Sequence, residues 1–414
     1  MSSYPAPGAS VALRMRHIRP FHVMQLLARA QALEAAGKSI IHMEIGEPDF
    51  PTARPIVQAG VRALHNGHTH YTPAAGLPAL REAVARFYKQ RYGCDIAPQR
   101  VVITTGASAA LQLICGVLID PGARVLMTDP GYPCNANFVR LFGGEPVCIP
   151  VDAASDYQLN TSLLRKHWGR AVAGAWLGSP SNPTGTLIAE PELRAMIDYC
   201  REKSGFVIVD EIYHGLTYET SPVSAAAITD DVFVINSFSK YFGMTGWRLG
   251  WLIAPERFVP EIEKLAQNIY LAPPTPAQHA ALTALEPATI DILENHRDAF
   301  KRRRDFLLPA LRELGFDIPV QPQGAFYIYA NCARLTDDSH AFTLRLLEDY
   351  GVAIAPGIDF GSHRTEEHVR FAYTTSMKKL QQGVARLAKA LTNSPNNFDA
   401  PGAQAPLPNG RLVK

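Results

Sequence analysis

A lysine held between two hydroxyls and close to an arginine has the makings of a covalent ligand site. Ser237-Phe238-Ser239-Lys240 is followed within eight residues by Thr245-Gly246-Trp247-Arg248-Leu249-Gly250. The apolar run Val232-Phe233-Val234-Ile235 just before it reads as a buried parallel strand. Lys240 therefore falls in the loop beyond a strand's carboxyl end, where open α/β sheets bind their ligands. A lysine there can lose its proton and form an imine with an aldehyde, while hydroxyls and an arginine hold a phosphate. Alone, the same tetrapeptide would read as a surface lysine in a polar loop.

Three further motifs shift that balance. Val207-Ile208-Val209-Asp210-Glu211-Ile212-Tyr213 places a carboxylate at the end of a second apolar run, thirty residues upstream of the lysine. Asp210 there can pair with a protonated ring nitrogen, and Tyr213 can reach a phenolic oxygen of the same ring. Its blander reading is a helix-capping Asp. Ser179-Pro180-Ser181-Asn182-Pro183-Thr184-Gly185, after Ala175-Trp176-Leu177, is a sharply folded loop that offers one side-chain amide, Asn182. Thr104-Thr105-Gly106-Ala107-Ser108 lies between Val101-Val102-Ile103 and a helical pattern, so small residues let backbone N–H groups approach an anion. It is neither a dinucleotide nor a triphosphate fingerprint. A ligand that is at once aldehyde, phosphate ester and pyridine is pyridoxal phosphate.

With these residues quoted, the chain resembles a class I aminotransferase of the fold-type I pyridoxal-phosphate enzymes, the group similar to aspartate aminotransferase. The resemblance runs from about Met15 to about Leu391. It implies Lys240 as the Schiff-base lysine and Asp210 as the ring-nitrogen partner. Asn182 and Tyr213 would bind the ring oxygen, and Tyr132 of Asp129-Pro130-Gly131-Tyr132-Pro133 would stack on the ring. The phosphate cup it implies comprises Gly106, Ala107, Ser108, Ser237, Ser239 and Arg248, completed by Tyr71 of the neighbouring subunit in a homodimer. Arg370 in His368-Val369-Arg370-Phe371-Ala372 matches the clamp for the substrate α-carboxylate, assisted by the Gly46 backbone and Asn182. Without the family, an Arg in an apolar strand reads as a structural ion-pair partner. Ala355-Pro356-Gly357-Ile358-Asp359-Phe360-Gly361 resembles a loop lining the substrate side.

The implied reaction is ping-pong transfer of the amino group of an L-amino acid to a 2-oxo acid, with Lys240, Asp210 and Tyr213 as the catalytic set and no metal. A carbon–sulfur β-lyase on the same scaffold is the alternative. A regulator with a DNA-binding module would need more than the roughly 40 residues ahead of Gly46. A lysine that reaches a distal carboxylate in one subgroup is replaced here by Ser108. Asn268-Ile269-Tyr270-Leu271-Ala272-Pro273-Pro274-Thr275, expected near the partner's site, is apolar and aromatic. Both features lean toward a neutral or aromatic donor, or broad specificity.

The elements that position these residues follow from apolar runs alternating with helical patterns. Strands are expected at Val101–Ile103, Val125–Met127, Val147–Val151, Ala173–Leu177, Val207–Val209 and Val232–Ile235, with an antiparallel strand at Leu249–Ile253. A helix over Leu193–Lys203 separates two of them. The fold class is α/β: a mostly parallel doubly wound sheet with helices on both faces, plus a smaller α+β domain. The expected divisions are a disordered tail over 1–14, an N-terminal segment over 15–45, a large cofactor domain over 46–287, a small domain over 288–392, and a second tail over 393–414.

Composition sets outer limits. The chain has 414 residues with 40 basic against 38 acidic side chains, which gives no basic surface for nucleic acid. Arg302-Arg303-Arg304 reads as a solvated helix face. Six scattered cysteines without a C-x-x-C pair fit reduced, mostly buried thiols in a cytosolic enzyme. No stretch has the length of a membrane span or the pattern of a signal peptide.

Overall fold

The computed structural model describes residues 11–18 and 20–392. The expected tails therefore lie outside the described residues, apart from 11–14, where Leu13 opens a short 3-10 turn.

Eleven strands among the described residues form two sheets. The strands are β1 (Ile41–Met43), β2 (Val101–Thr104), β3 (Arg124–Asp129), β4 (Glu145–Pro150), β5 (Val172–Gly178) and β6 (Phe206–Asp210). They continue with β7 (Phe233–Ser237), β8 (Gly250–Ile253), β9 (Tyr327–Asn331), β10 (Val352–Pro356) and β11 (His368–Ala372). The larger sheet has the order β2-β8-β7-β6-β5-β3-β4. Strand β8 runs antiparallel to both neighbours and the remaining pairs are parallel. The smaller sheet, β1-β10-β11-β9, joins β1 to β10 in parallel and pairs the others antiparallel.

The central strands β5, β6 and β7 of the large sheet are buried on both faces because they are apolar at nearly every position rather than at alternate ones, whereas the edge strand β4 is largely exposed. Ala175, Leu177, Val207, Val209 and Val234 point into one core layer. Trp176, Ile208, Phe233 and Ile235, one residue out of phase, point into the other.

The helices follow in chain order: α1 (His22–Ala35), α2 (Arg54–His65), α3 (Pro78–Tyr92), α4 (Ala107–Leu118), α5 (Pro133–Leu141) and α6 (Thr161–His167). After them come α7 (Glu190–Glu202), α8 (Val259–Ile269), α9 (Thr275–Ala284), α10 (Pro287–Glu313), α11 (Ser339–Tyr350) and α12 (Met377–Thr392). Local chemistry sets their ends. Prolines open α3, α7 and α10 where an N–H would be unpaired anyway. Gly93 and Gly351 close α3 and α11 in the left-handed conformation. Asp359 accepts the first N–H groups of α1, from His22 and Val23, at 2.8 and 2.7 Å, fixing that helix to the loop after β10.

One expectation is overturned. The arginine run in α10 is a solvated face only at Arg302: Arg303 and Arg304 are buried, with Arg304 only 1% exposed. Arg303 makes a two-pronged pair with Asp49 at 2.6 and 3.0 Å, and its guanidinium lies over the Phe50 ring. Arg304 binds Glu219, Asp305 and the Pro322 carbonyl. The arginine fork satisfies several acceptors at once, which makes burial of a charge tolerable. The thiols are all free, and Cys148 is exposed rather than buried.

Candidate active site

In this sheet β2, β3, β5, β6 and β7 run the same way, since β2 and β7 are each antiparallel to β8. Their carboxyl ends therefore share one edge, which gathers Thr104, Asp129, Gly178, Asp210 and Ser237. A cavity of about 560 Å³ opens there. It is walled by Ala107, Ser108, Tyr132, Asn182, Asp210, Tyr213, Ser237, Ser239, Lys240, Arg248 and Arg370, with Gly46 at its rim. Residues spread over more than three hundred positions of sequence thus meet in one place. Gly106 lies just outside the lining, capping α4 with φ +80°; a Cβ there would sit 2.6 Å from the Arg248 guanidinium.

Lys240 is half-buried and donates to the Gly46 carbonyl at 2.7 Å. Burial pulls its ammonium down to about 8, with Glu47 opposing that change and Arg370 and Arg248 adding to it. Burial likewise raises Asp210 to about 6, against the Ile212 N–H at 3.0 Å and the nearby Lys240. The Tyr213 hydroxyl meets Tyr327 at 2.9 Å, and burial pushes both phenols up.

Two groups divide the cavity's polar ends. At one, Ser237 and Ser239 are hydrogen-bonded at 2.9 Å beside the first turn of α4 and Arg248. At the other, Arg370 donates to Asn182 Oδ1 at 2.9 Å and to the Glu44 carbonyl at 2.7 Å. Its guanidinium lies over the Tyr327 ring at 4.1 Å, and its Nε is buried without a partner. An unpaired arginine N–H at a cavity wall is an anion site in waiting.

Gly46 turns out to have a different immediate reason. Its carbonyl holds Lys240, and a Cβ on it would lie 1.8 Å from the Tyr327 hydroxyl. Tyr71 is 82% exposed and does not line the cavity of its own chain. Sequence reasoning missed Tyr327, Phe21, Met24, Glu47 and Trp176, all of which line the cavity. Tyr327 was legible only as one aromatic in an apolar strand.

The profile of the family described as aminotransferase class I and II matches residues 38–387. The chain belongs to this family. It is 37% identical over 381 residues to a (5-formylfuran-3-yl)methyl phosphate transaminase of Methanocaldococcus jannaschii, covering 91% of this chain and 98% of that one. It is 36% identical to a valine–pyruvate aminotransferase of Mycobacterium tuberculosis, covering 92% and 98%. A crystal structure of an aminotransferase from Mycobacterium tuberculosis superposes with a TM-score of 0.90 at 36% identity, over 93% of this chain and all of the other. The protein is a pyridoxal-phosphate-dependent aminotransferase of fold type I, similar to the aspartate aminotransferases.

The aminotransferase cavity suits that cofactor on its own terms. Two hydroxyls, an arginine and the start of a twelve-residue helix form one anion-binding pocket. A lysine with a lowered pKa and a half-buried carboxylate stand in the same cavity. Among the described residues no group of three or more His, Cys, Asp and Glu side chains could hold a metal, and no helix is long and apolar enough to cross a membrane.

Proposed function

We propose that this aminotransferase takes L-amino acids with uncharged, apolar or aromatic side chains as donors, in a homodimer that shares its active sites. The observation that carries the donor class is a census of charge. Among the described residues three cations line the cavity, Lys240, Arg248 and Arg370, and each has a task. Arg248 belongs to the phosphate cup with Gly106, Ala107, Ser108, Ser237 and Ser239. Arg370, with Asn182 and the Gly46 backbone, takes the α-carboxylate, and Lys240 does the chemistry. Among the described residues no fourth cation lines the cavity to meet a distal carboxylate, and Glu44 and Glu47 would repel one. Phe21, Val23, Met24, Ile45 and Leu111 supply apolar wall instead.

Once bound, pyridoxal phosphate supplies an electron sink that stabilises negative charge at the substrate α-carbon. The chain's residues do the rest. Asp210 would keep the ring nitrogen protonated by holding a negative charge beside it. Asn182 and Tyr213 would bind the ring oxygen, and Tyr132 would offer an aromatic face to the ring. Lys240, uncharged once its proton is lost, carries a proton to and from the α-carbon. Phe21 and Met24 keep water away from the substrate side chain.

Homodimerisation rests on Tyr71 and on the face around it. Val57, Val61 and Leu64 lie at i, i+4 and i+7 on the exposed side of α2, and Ile269 and Leu271 are exposed as well. A second copy that buries this face would bring Tyr71 to the neighbouring phosphate cup. The donor class is tested by comparing kcat/KM for leucine, methionine and phenylalanine with that for aspartate and glutamate. The neutral donors should lead by at least about tenfold, as one unpaired buried charge requires. Preference for aspartate would contradict the reading.

A further inference from the structure

Directly behind the cavity lies a polar pair that the chemistry above does not use. Glu211 follows Asp210 and is fully buried. Its carboxyl accepts from Ser224 Oγ at 2.9 and 3.1 Å and from the Ala225 N–H at 2.7 Å. His214, also buried, sits one turn on, with its backbone N–H donated to the Glu211 carbonyl at 2.8 Å. The imidazole bonds the backbone of Ser179. The Ser179 N–H in turn is donated to the Asp210 carbonyl at 3.0 Å. The Asn182 loop and the end of β6 are thereby stitched together twice.

The remaining ring nitrogen decides the protonation. Since Nδ1 has no hydrogen-bond partner, the bond to Ser179 falls to Nε2–H, which leaves Nδ1 an acceptor. It lies 3.3 Å from Glu211 Oε2, and no described donor reaches it. An ionised carboxylate there would set acceptor against acceptor, next to the Asp210 charge and away from water. A protonated carboxyl turns the same contact into a hydrogen bond and leaves the pair neutral.

We propose that Glu211 and His214 are positioning residues for the active site. A neutral Glu211 carboxyl donates to His214 Nδ1, and the imidazole transmits the constraint to Ser179, holding Asn182 in register with Asp210. This rests on the reading of Asp210 and Asn182 as cofactor contacts. Burial supports it from both sides, since it raises Glu211 to about 8 and lowers His214 to about 3. The other titratable groups that act on the pair are Asp210, Tyr88, Tyr92, Cys94 and Arg91. The two phenols and the thiol are pushed up by burial, and Arg91 pairs with Glu294 at 2.6 Å. Glu211 is thus the member that changes charge near pH 8, and its ionisation loosens the loop.

The test uses the cofactor-loaded enzyme and its Glu211→Gln, Glu211→Ala and His214→Leu variants, with Asp210→Asn as a control. Nitrogen-15 spectra of labelled histidine, with His214 assigned by difference, should show a neutral Nε2–H ring from pH 5 to 8. A cationic His214 at pH 7 overturns the proposal. The wild-type kcat should fall above pH 8. Glu211→Gln, whose amide donates to Nδ1 at every pH, should flatten that fall. Glu211→Ala and His214→Leu should lose about tenfold to a hundredfold in kcat with a smaller change in KM, as a misplaced contact does. A Glu211→Gln enzyme with the wild-type alkaline fall, or as impaired as Glu211→Ala, sinks the positioning role while Asp210→Asn remains inactive. An active Asp210→Asn enzyme would overturn the site reading itself.

Discussion

At the scale of single residues, burial of charge does most of the tuning. Lys240 must be uncharged to attack an aldehyde, and desolvation, with Arg370 and Arg248 in the same cavity, brings its ammonium down to about 8. The sign follows directly. The reactive form is the neutral amine, so capture of pyridoxal phosphate by the apo-protein should speed up as pH rises, levelling off above about 8. Stopped-flow absorbance of cofactor addition between pH 6 and 9.5 measures this. A rate that is flat from pH 6, or still climbing steeply at 9.5, would place the lysine elsewhere. Lys240, Asp210 and Asn182 were legible in the sequence because each follows an apolar run and the sheet edge gathers such ends. Tyr327 was not, because its role depends on a packing contact with Gly46, almost three hundred positions away in the chain, which no local pattern encodes.

At the scale of elements, strands proved more legible than charged helix faces. All seven expected strands of the large sheet appear within two residues of their apolar runs, because a strand buried on both sides is written in apolar residues throughout. Arg302-Arg303-Arg304 misled because charge in a helix ordinarily means solvent. Here the sequence pairs it at a distance, through Asp49 and Glu219. That pairing fastens the loop after β1, which carries Gly46 and Glu47, to α10. Arg303 is more deeply buried than Asp49, so the two partners should be unequal. Asp49→Ala, which strands a buried cation, should destabilise by about 3 kcal/mol. Arg303→Met, which leaves a carboxylate that water can reach, should cost about 1 kcal/mol. Urea unfolding midpoints compare them, and equal or reversed costs would mean the pair is solvated.

At the scale of the whole molecule, the proposed dimer assigns Tyr71 to the neighbouring phosphate cup. Tyr71 is exposed and does not line the cavity of its own chain, and Val57, Val61 and Leu64 of α2 are exposed as well. If Tyr71 serves a neighbour, two defective subunits can repair one another. A Tyr71→Ala subunit keeps Lys240, and a Lys240→Ala subunit keeps Tyr71, so each hybrid dimer has one intact site. Random exchange of equal amounts should restore about a quarter of wild-type activity, from one good site in half of the dimers. Activity no higher than the mean of the two variants would mean that Tyr71 acts within its own chain or not at all.

The measurement that bears most directly on the central claim is a half-reaction without any 2-oxo acid. The cofactor-loaded enzyme is mixed with one amino acid, and the cofactor absorbance, the 2-oxo acid and ammonia are followed together. A transaminase whose Lys240 only shuttles a proton should release one 2-oxo acid per site and stop, with no ammonia and with neutral donors fastest. Continued turnover with ammonia release would contradict the account and make the same residues the site of a lyase.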